Sequence, residues 1–249
     1  KEISVSPNLS SRLRPWEISP LPRALSFFVR LSERLPKPYA GYLRAVSVRL
    51  LAGKEFYAVT PWGTHVCPAT DHTFLASHFK EQTEVRLLAN LVKPGMTFID
   101  VGANRGWYTL MASSMVGAEG TVVAVEPDHR ARALLLRTLA ANPSGTNVTV
   151  VPKAMAAETG TMPFVSPPES ALSHLLGAHE ETQDAGTIEI GTLDGIASEL
   201  KLHSVHVVKI DVEGAEIGCL LGMRHVLDRD QPVLLIEAER EHLARHGNE

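Results

Sequence analysis

Continuous apolar, β-branched runs recur along this chain from residue 97 onward, at Thr97–Val101, Thr121–Val125, 148–152, 205–210 and 231–236. Such runs, unbroken by polar alternation, predict strands buried on both faces. Stretches of helical spacing separate them. Residues 81–91 deliver the chain to the first strand, Trp107–Val116 follows it, and 129–141 is rich in Leu, Ala and Arg before Asn142 and Pro143 end it. Strand and helix in alternation predict a parallel sheet covered on both faces. Residues 56–59 and 64–67, joined around Pro61 and Gly63, read as a small hairpin ahead of that sheet. Two further strand-like runs, 161–165 and 187–192, flank a loop, 166–186, whose length and Ser, Pro, Gly and His content suit a lid.

The chain of 249 residues is 44% hydrophobic, enough for one large α/β domain with an appendage. Its charge is unevenly placed. Residues 1–54 carry ten Lys and Arg against three Asp and Glu, whereas 55–249 carry fourteen against twenty-five. Within the basic segment Leu21, Leu25, Phe28 and Leu35 recur at helical spacing with Arg23, Arg30 and Arg34 between them. After Pro36 and Pro38, Tyr39, Leu43, Val46 and Leu50 do the same around Arg44 and Arg49. Two short amphipathic helices are predicted, packing on the domain or on a second subunit of a homo-oligomer, or meeting anionic lipid head groups at a membrane periphery. Nucleic acid is disfavoured, because aromatic residues do not interleave the arginines and the acidic remainder repels a polyanion. No apolar run reaches the roughly 18 residues of a membrane span, and Cys67 and Cys219 form neither a metal-ligand spacing nor a disulfide framework. A cytoplasmic protein is expected. The organisation read from these patterns is a basic helical segment at 1–54, a hairpin and linker at 55–80, and the main domain at 81–249.

The chemistry concentrates where strands end. The strand at Thr97–Val101 contains Asp100 and runs into a turn punctuated by Gly102 and Gly106, which permit a tight bend and close approach of a ligand. It resembles a dinucleotide fingerprint whose middle glycine is replaced by Asn104, which disfavours a pyrophosphate. The next strand ends in Glu126, placed to accept hydrogen bonds from two ribose hydroxyls, before Pro127 turns the chain away. An adenosine ligand without phosphates fits this pattern, and S-adenosylmethionine is the common one. The strand at 205–210 ends in Asp211 and enters a second Gly-bearing turn, and the strand at 231–236 is followed by Glu237 and Glu239. Since ligands in open parallel sheets bind beyond the carboxyl ends of the strands, Asp100, Glu126, Asp211 and Glu237 are expected along one rim.

Phe98-Ile-Asp-Val-Gly-Ala-Asn-Arg-Gly106, Val125-Glu-Pro127, Thr192-Leu-Asp194, Lys209-Ile-Asp-Val-Glu-Gly-Ala-Glu216 and Pro232-Val-Leu-Leu-Ile-Glu237 together resemble the FkbM family of S-adenosylmethionine-dependent methyltransferases. The resemblance covers about residues 80–240, and the string from Lys209 to Glu216 is its most specific part. It implies the class I methyltransferase fold, a Rossmann-like parallel sheet with helices on both faces, here with an N-terminal helical extension. It also implies S-adenosylmethionine as methyl donor and O-methylation of a hydroxyl on a small molecule, secondary metabolite or sugar. The final pair of strands of a complete class I sheet is expected to be missing.

On this reading Gly102, Ala103 and Asn104 cradle the methionine part of the donor, Gly106 closes the turn, and Asp100 orients it or reaches the amino group through water. Thr109 is a further neighbour or a cap on backbone. Glu126 holds the ribose, and Lys153 and Ala154 lie beside adenine. Asp211 is the general base that takes the acceptor's proton, unless it caps the following helix. His174, in the lid, is the alternative base. Glu213 and Glu237 face the acceptor; with Asp211 they would also suit Mg²⁺, although the resemblance requires no metal. Lys209 pairs with a rim carboxylate rather than touching substrate. N-methylation of a small amine, and a non-catalytic cofactor-binding or membrane-associated scaffold, are the competing readings.

Overall fold

The computed structural model describes residues 55–60, 62–68, 82–166, 174–175, 185–240 and 242. Two compact units divide between Asn90 and Leu91. In the first, β1 (Glu55–Thr60) and β2 (Gly63–Pro68) form the predicted antiparallel hairpin, in register from Glu55 opposite Pro68 to Thr60 opposite Gly63. The Thr60 hydroxyl secures the turn by donating to the Gly63 carbonyl and accepting from the Trp62 N–H. Helix α1 (Gln82–Leu91) belongs to this unit but for its last residue. The amphipathic helices expected before residue 54 lie outside the described residues.

The second unit is built on a five-stranded parallel sheet. Its strands are β3 (Thr97–Val101), β4 (Thr121–Val125), β5 (Val148–Val151), β10 (Val207–Ile210) and β11 (Val233–Ile236), in the order β11-β10-β3-β4-β5. The three central strands are buried almost throughout, which is why their sequences read as unbroken apolar runs. Ile99, Val101, Val123, Val125, Val208 and Ile210 point to one face. There they meet α4 (Leu193–Glu199), α5 (Glu216–Leu221) and α6 (Arg224–Asp230) through Leu193, Ile196, Cys219 and Val226. Each such side chain taken from water contributes about 1.5–3 kcal/mol. On the opposite face α3 (His129–Ala140) sets Leu135 and Leu139 against Ala103 and Ala124, and α2 (Trp107–Val116) covers the neighbouring strands. Asp128 starts α3 by accepting from the Arg130 and Ala131 N–H groups at 2.7 and 3.1 Å.

The runs at 161–165 and 187–192 do not extend this sheet. They become β7 (Gly160–Val165) and β9 (Ala185–Gly191) of a second sheet, completed by β6 (Ala154–Met155) and β8 (His174–Leu175), in the order β6-β9-β7-β8. Strand β8 comes from inside the stretch expected to be a lid, so that stretch contributes ordered sheet beside Phe164 and Val165. The strand expected at 205–210 begins only at Val207. The preceding residues turn to other tasks: the Val205 N–H donates to Asp230 at 2.8 Å, and the His206 ring nitrogen Nδ1 accepts from the Thr97 N–H at 3.0 Å. Among the described residues no helix is long and apolar enough to cross a membrane.

Candidate active site

Strands β4 and β10 flank β3 on opposite sides, so the loops leaving their carboxyl ends diverge and open a crevice. The crevice holds a groove of about 590 Å³, its open mouth included. Gly102 and Asn104 line it from the loop after β3, Glu126 from the loop after β4, Lys153 and Ala154 from beyond β5, and Asp211 and Glu213 from beyond β10.

The first loop is locked to the fourth. Gly102 has φ +77°, and a Cβ built there would stand 1.8 Å from the carbonyl oxygen of Asp211. The glycine is therefore required by close approach of protein backbone, rather than by the approach of a ligand that the turn alone suggests. The Gly102 and Ala103 N–H groups both donate to the Val125 carbonyl at 3.0 Å, and the Asn104 N–H donates to Glu126 Oε2 at 2.7 Å. These three amides are thus bonded within the protein, while Gly102 and Asn104 themselves line the groove. Asn104 adopts the left-handed conformation that Asn tolerates best after glycine, and its side-chain Oδ1 is buried without a hydrogen-bond partner.

Ala103 faces the core rather than the groove, and Gly106 turns against Leu135, where a Cβ would stand 2.4 Å from Cδ1. Asp100 and Thr109 are fully buried and lie outside the groove lining. The Thr109 hydroxyl donates to Asp100 Oδ2 at 2.6 Å, so both support the loop from behind instead of lining the groove. Burial pushes the Asp100 carboxyl above its usual range, against the opposing pull of Lys209 and the Thr109 hydrogen bond.

Glu126 is 5% exposed, with Oε2 accepting from Asn104 and Oε1 from the Asp128 N–H at 2.7 Å. Each oxygen keeps a second acceptor position. Burial raises its carboxyl to about 7, although the two backbone donors pull the other way. Arg132 braces the same corner by donating to the Glu126 and Pro127 carbonyls at 3.0 and 2.8 Å. Lys153, half-buried at the next strand end, stands 3.7 Å from the exposed Glu189 in a pair of small energetic weight.

At the fourth strand end, Asp211 Oδ2 lies 3.0 Å from Lys209 Nζ, which pairs Lys209 with a rim carboxylate. Asp211 does not cap the following helix, whose N-cap Ala215 carries no side-chain cap; Glu216 Oε1 instead braces the loop before it by accepting from the Val212 and Gly214 N–H groups at 3.3 and 3.0 Å. Glu213 has φ +55° and bonds His242 Nδ1 at 2.7 Å. Glu237 is exposed, outside the groove lining, with its N–H on the Ile210 carbonyl. Asp211, Glu213 and Glu237 therefore do not converge, and among the described residues no three His, Cys, Asp or Glu side chains are grouped to hold a metal ion. His174 pairs through its backbone with Val165; its side chain lies outside the described residues.

Sequence reasoning missed the apolar wall. Phe164 and Leu175 sit opposite each other in β7 and β8, and both line the groove. The strand at 161–165 was legible, but nothing in its spacing tells which partner brings Phe164 to the groove.

The family model described as "Methyltransferase FkbM domain" matches residues 100–248. The chain belongs to the FkbM methyltransferase family. That description names the methyltransferase class which the sequence resemblance implies. Among solved structures it is similar to methyltransferase FkbM from Methylobacillus flagellatus KT, at 18% identity over 72% of this chain and 44% of that one, with a TM-score of 0.43. A SAM-dependent O-methyltransferase from Thermotoga maritima matches at 13% identity over 76% and 59% of the two chains, TM-score 0.41. Fibrillarin from Aeropyrum pernix, in complex with S-adenosyl-L-methionine, matches at 14% over 67% and 63%, TM-score 0.40. The chain thus spans less than two thirds of the length of each of these three. No curated protein matches it.

The groove fits the FkbM donor on its own chemistry. Glu126 offers unfilled carboxylate acceptors for a vicinal diol, Asn104 Oδ1 is a buried polar atom with no partner, and Phe164 and Leu175 present apolar surface to a flat base.

Proposed function

We propose that this FkbM domain methylates a hydroxyl group of a small molecule or sugar. S-adenosylmethionine, when bound, supplies an electrophilic methyl group; the protein's share is to hold the donor, orient the acceptor and remove one proton. Glu126 and Asn104 would hold the ribose and the polar end of the donor, with Lys153, Ala154, Phe164 and Leu175 around the base. Asp211 would accept the proton of the acceptor hydroxyl. The observation that carries this reading is the Asp211 carboxylate itself, on the groove wall at the end of β10 and tethered through one oxygen to Lys209. An alcohol is a weak nucleophile until its proton leaves, so a fixed carboxylate beside the groove favours oxygen over an unprotonated amine.

Asp211→Asn keeps the shape and removes the base. Turnover of a hydroxylated acceptor is expected to fall by about 10²–10⁴-fold, with affinity for S-adenosylhomocysteine changed little. Unaltered turnover in single-turnover assays would exclude Asp211 as the base, and equal loss with an amine acceptor would place its role in positioning.

A further inference from the structure

Lys209 and Asp100 are register partners in the parallel pair β10 and β3, so their side chains leave the sheet on the same face. Asp211, two residues beyond Lys209, follows on that face. Lys209 is 5% exposed. Its Nζ stands 3.0 Å from Asp211 Oδ2, 3.8 Å from Asp100 Oδ1 and 3.4 Å from the Gly102 carbonyl, and 5.0 Å from the centre of the Tyr108 ring. One ammonium group therefore faces two carboxylates, a carbonyl and an aromatic face from β3, the first loop, α2 and its own strand. Glu126, coupled electrostatically to Asp100, and Glu213, two residues past Asp211, add further acids near the groove. Lys209 pairs with Asp100 and Asp211, whereas Glu213 bonds His242 and the half-buried Lys153 faces Glu189, a residue outside the groove lining.

A pair this enclosed is sensitive to loss of either partner, because the remaining charge is left without compensation. Its position also has a consequence for ligands. The donor carries a positively charged sulfur, whereas the product S-adenosylhomocysteine carries a neutral one, and the two are otherwise the same in charge. A site whose acids are only partly neutralised distinguishes them, and the degree of neutralisation is set by Lys209.

We propose that Lys209 is a positioning residue that clamps the Asp211 carboxylate to the groove wall and sets the charge of the groove, and thereby limits how strongly the site prefers the cationic donor over its neutral product. This rests on the donor assignment above. With the clamp in place Asp211 is held for the acceptor and kept from pairing with the donor's cationic sulfur, so the ground state is not stabilised at the expense of transfer. The spent product, lacking the charge, is not displaced from the site by an over-strong electrostatic preference for fresh donor.

Calorimetric titration of S-adenosylmethionine and S-adenosylhomocysteine into the wild-type protein, Lys209→Met and Lys209→Arg tests it without any acceptor. The ratio of the two dissociation constants is expected to move towards the cationic donor by about tenfold or more in Lys209→Met, and to return to the wild-type ratio in Lys209→Arg. A purely structural lysine would weaken both ligands together and leave the ratio unchanged, and that result would overturn the proposal. Should Lys209→Met fail to fold, Lys209→Gln removes the same charge while keeping a polar side chain beside Asp100 and Asp211; an unchanged ratio there is equally decisive against the clamp. If the wild-type protein binds neither ligand, the donor assignment falls, and the clamp with it.

Discussion

Glu126 places two demands on one carboxylate. Its folded value of about 7 lies above the ordinary 4.5, because burial penalises the charge more than the Asn104 and Asp128 amides relieve it. The folded state therefore holds the proton more tightly than the unfolded chain does. The resulting stability is complete below the unfolded value and is lost as pH rises through about 7. Without ligand, stability is expected to fall by on the order of 2–3 kcal/mol between roughly pH 5 and 8, and scanning calorimetry should find that slope flattened in Glu126→Gln. Hydroxyl donors favour the ionised form, so binding S-adenosylhomocysteine near neutral pH should release a proton. Titration in buffers of different ionisation enthalpy reads that proton directly; equal heats in all of them would mean that the diol does not reach Glu126.

At the scale of elements, Thr192-Leu-Asp194 shows why part of this fold was legible and part was not. Thr192 caps its own helix α4 by accepting from the Gly195 N–H at 3.0 Å, a local pattern that sequence displays. Asp194 instead reaches across to α6, accepting from the His225 and Val226 N–H groups at 2.9 Å each, about thirty residues on. Asp194→Ala leaves both amides without this partner and is expected to cost about 1–2 kcal/mol, seen as a lower urea midpoint with an unchanged slope. The strands β3, β4 and β10 and the helices α2 and α3 were readable because ten or so residues of one period, or a fully apolar run, leave few alternatives. Helices α4 and α6 have seven residues each, and β6 and β8 two, too few positions for any period to declare itself. The same limit applies to the site. Glu126 and Asp211 follow from strand ends, but the apolar wall depends on Phe164 meeting Leu175 across a pairing that neither sequence neighbourhood specifies, and the burial of Thr109 behind Asp100 depends on where α2 packs.

At the scale of the whole domain, the groove is walled by two sheets. Glu126 and Asp211 stand at the edge of the five-stranded sheet, Phe164 and Leu175 belong to the four-stranded one, and Ala154 begins β6 at the junction. A ligand touching all of these walls binds only when both sheets are formed, so its binding free energy adds to the stability of the whole domain rather than of one loop. At about one hundred times its dissociation constant, S-adenosylhomocysteine is expected to add ~2.7 kcal/mol and raise Tm by roughly 5–10 °C in a domain of this size. NAD carries the same adenosine but joins it to a pyrophosphate. In the loop after β3 the amides of Gly102, Ala103 and Asn104, which a pyrophosphate would need, are already bonded to Val125 and Glu126. At matched concentration NAD should therefore leave Tm within about one degree. Thermal unfolding of the two mixtures side by side separates the outcomes: an equal rise with NAD would show that the groove reads adenosine alone, and that the committed amides of the first loop do not select against phosphate.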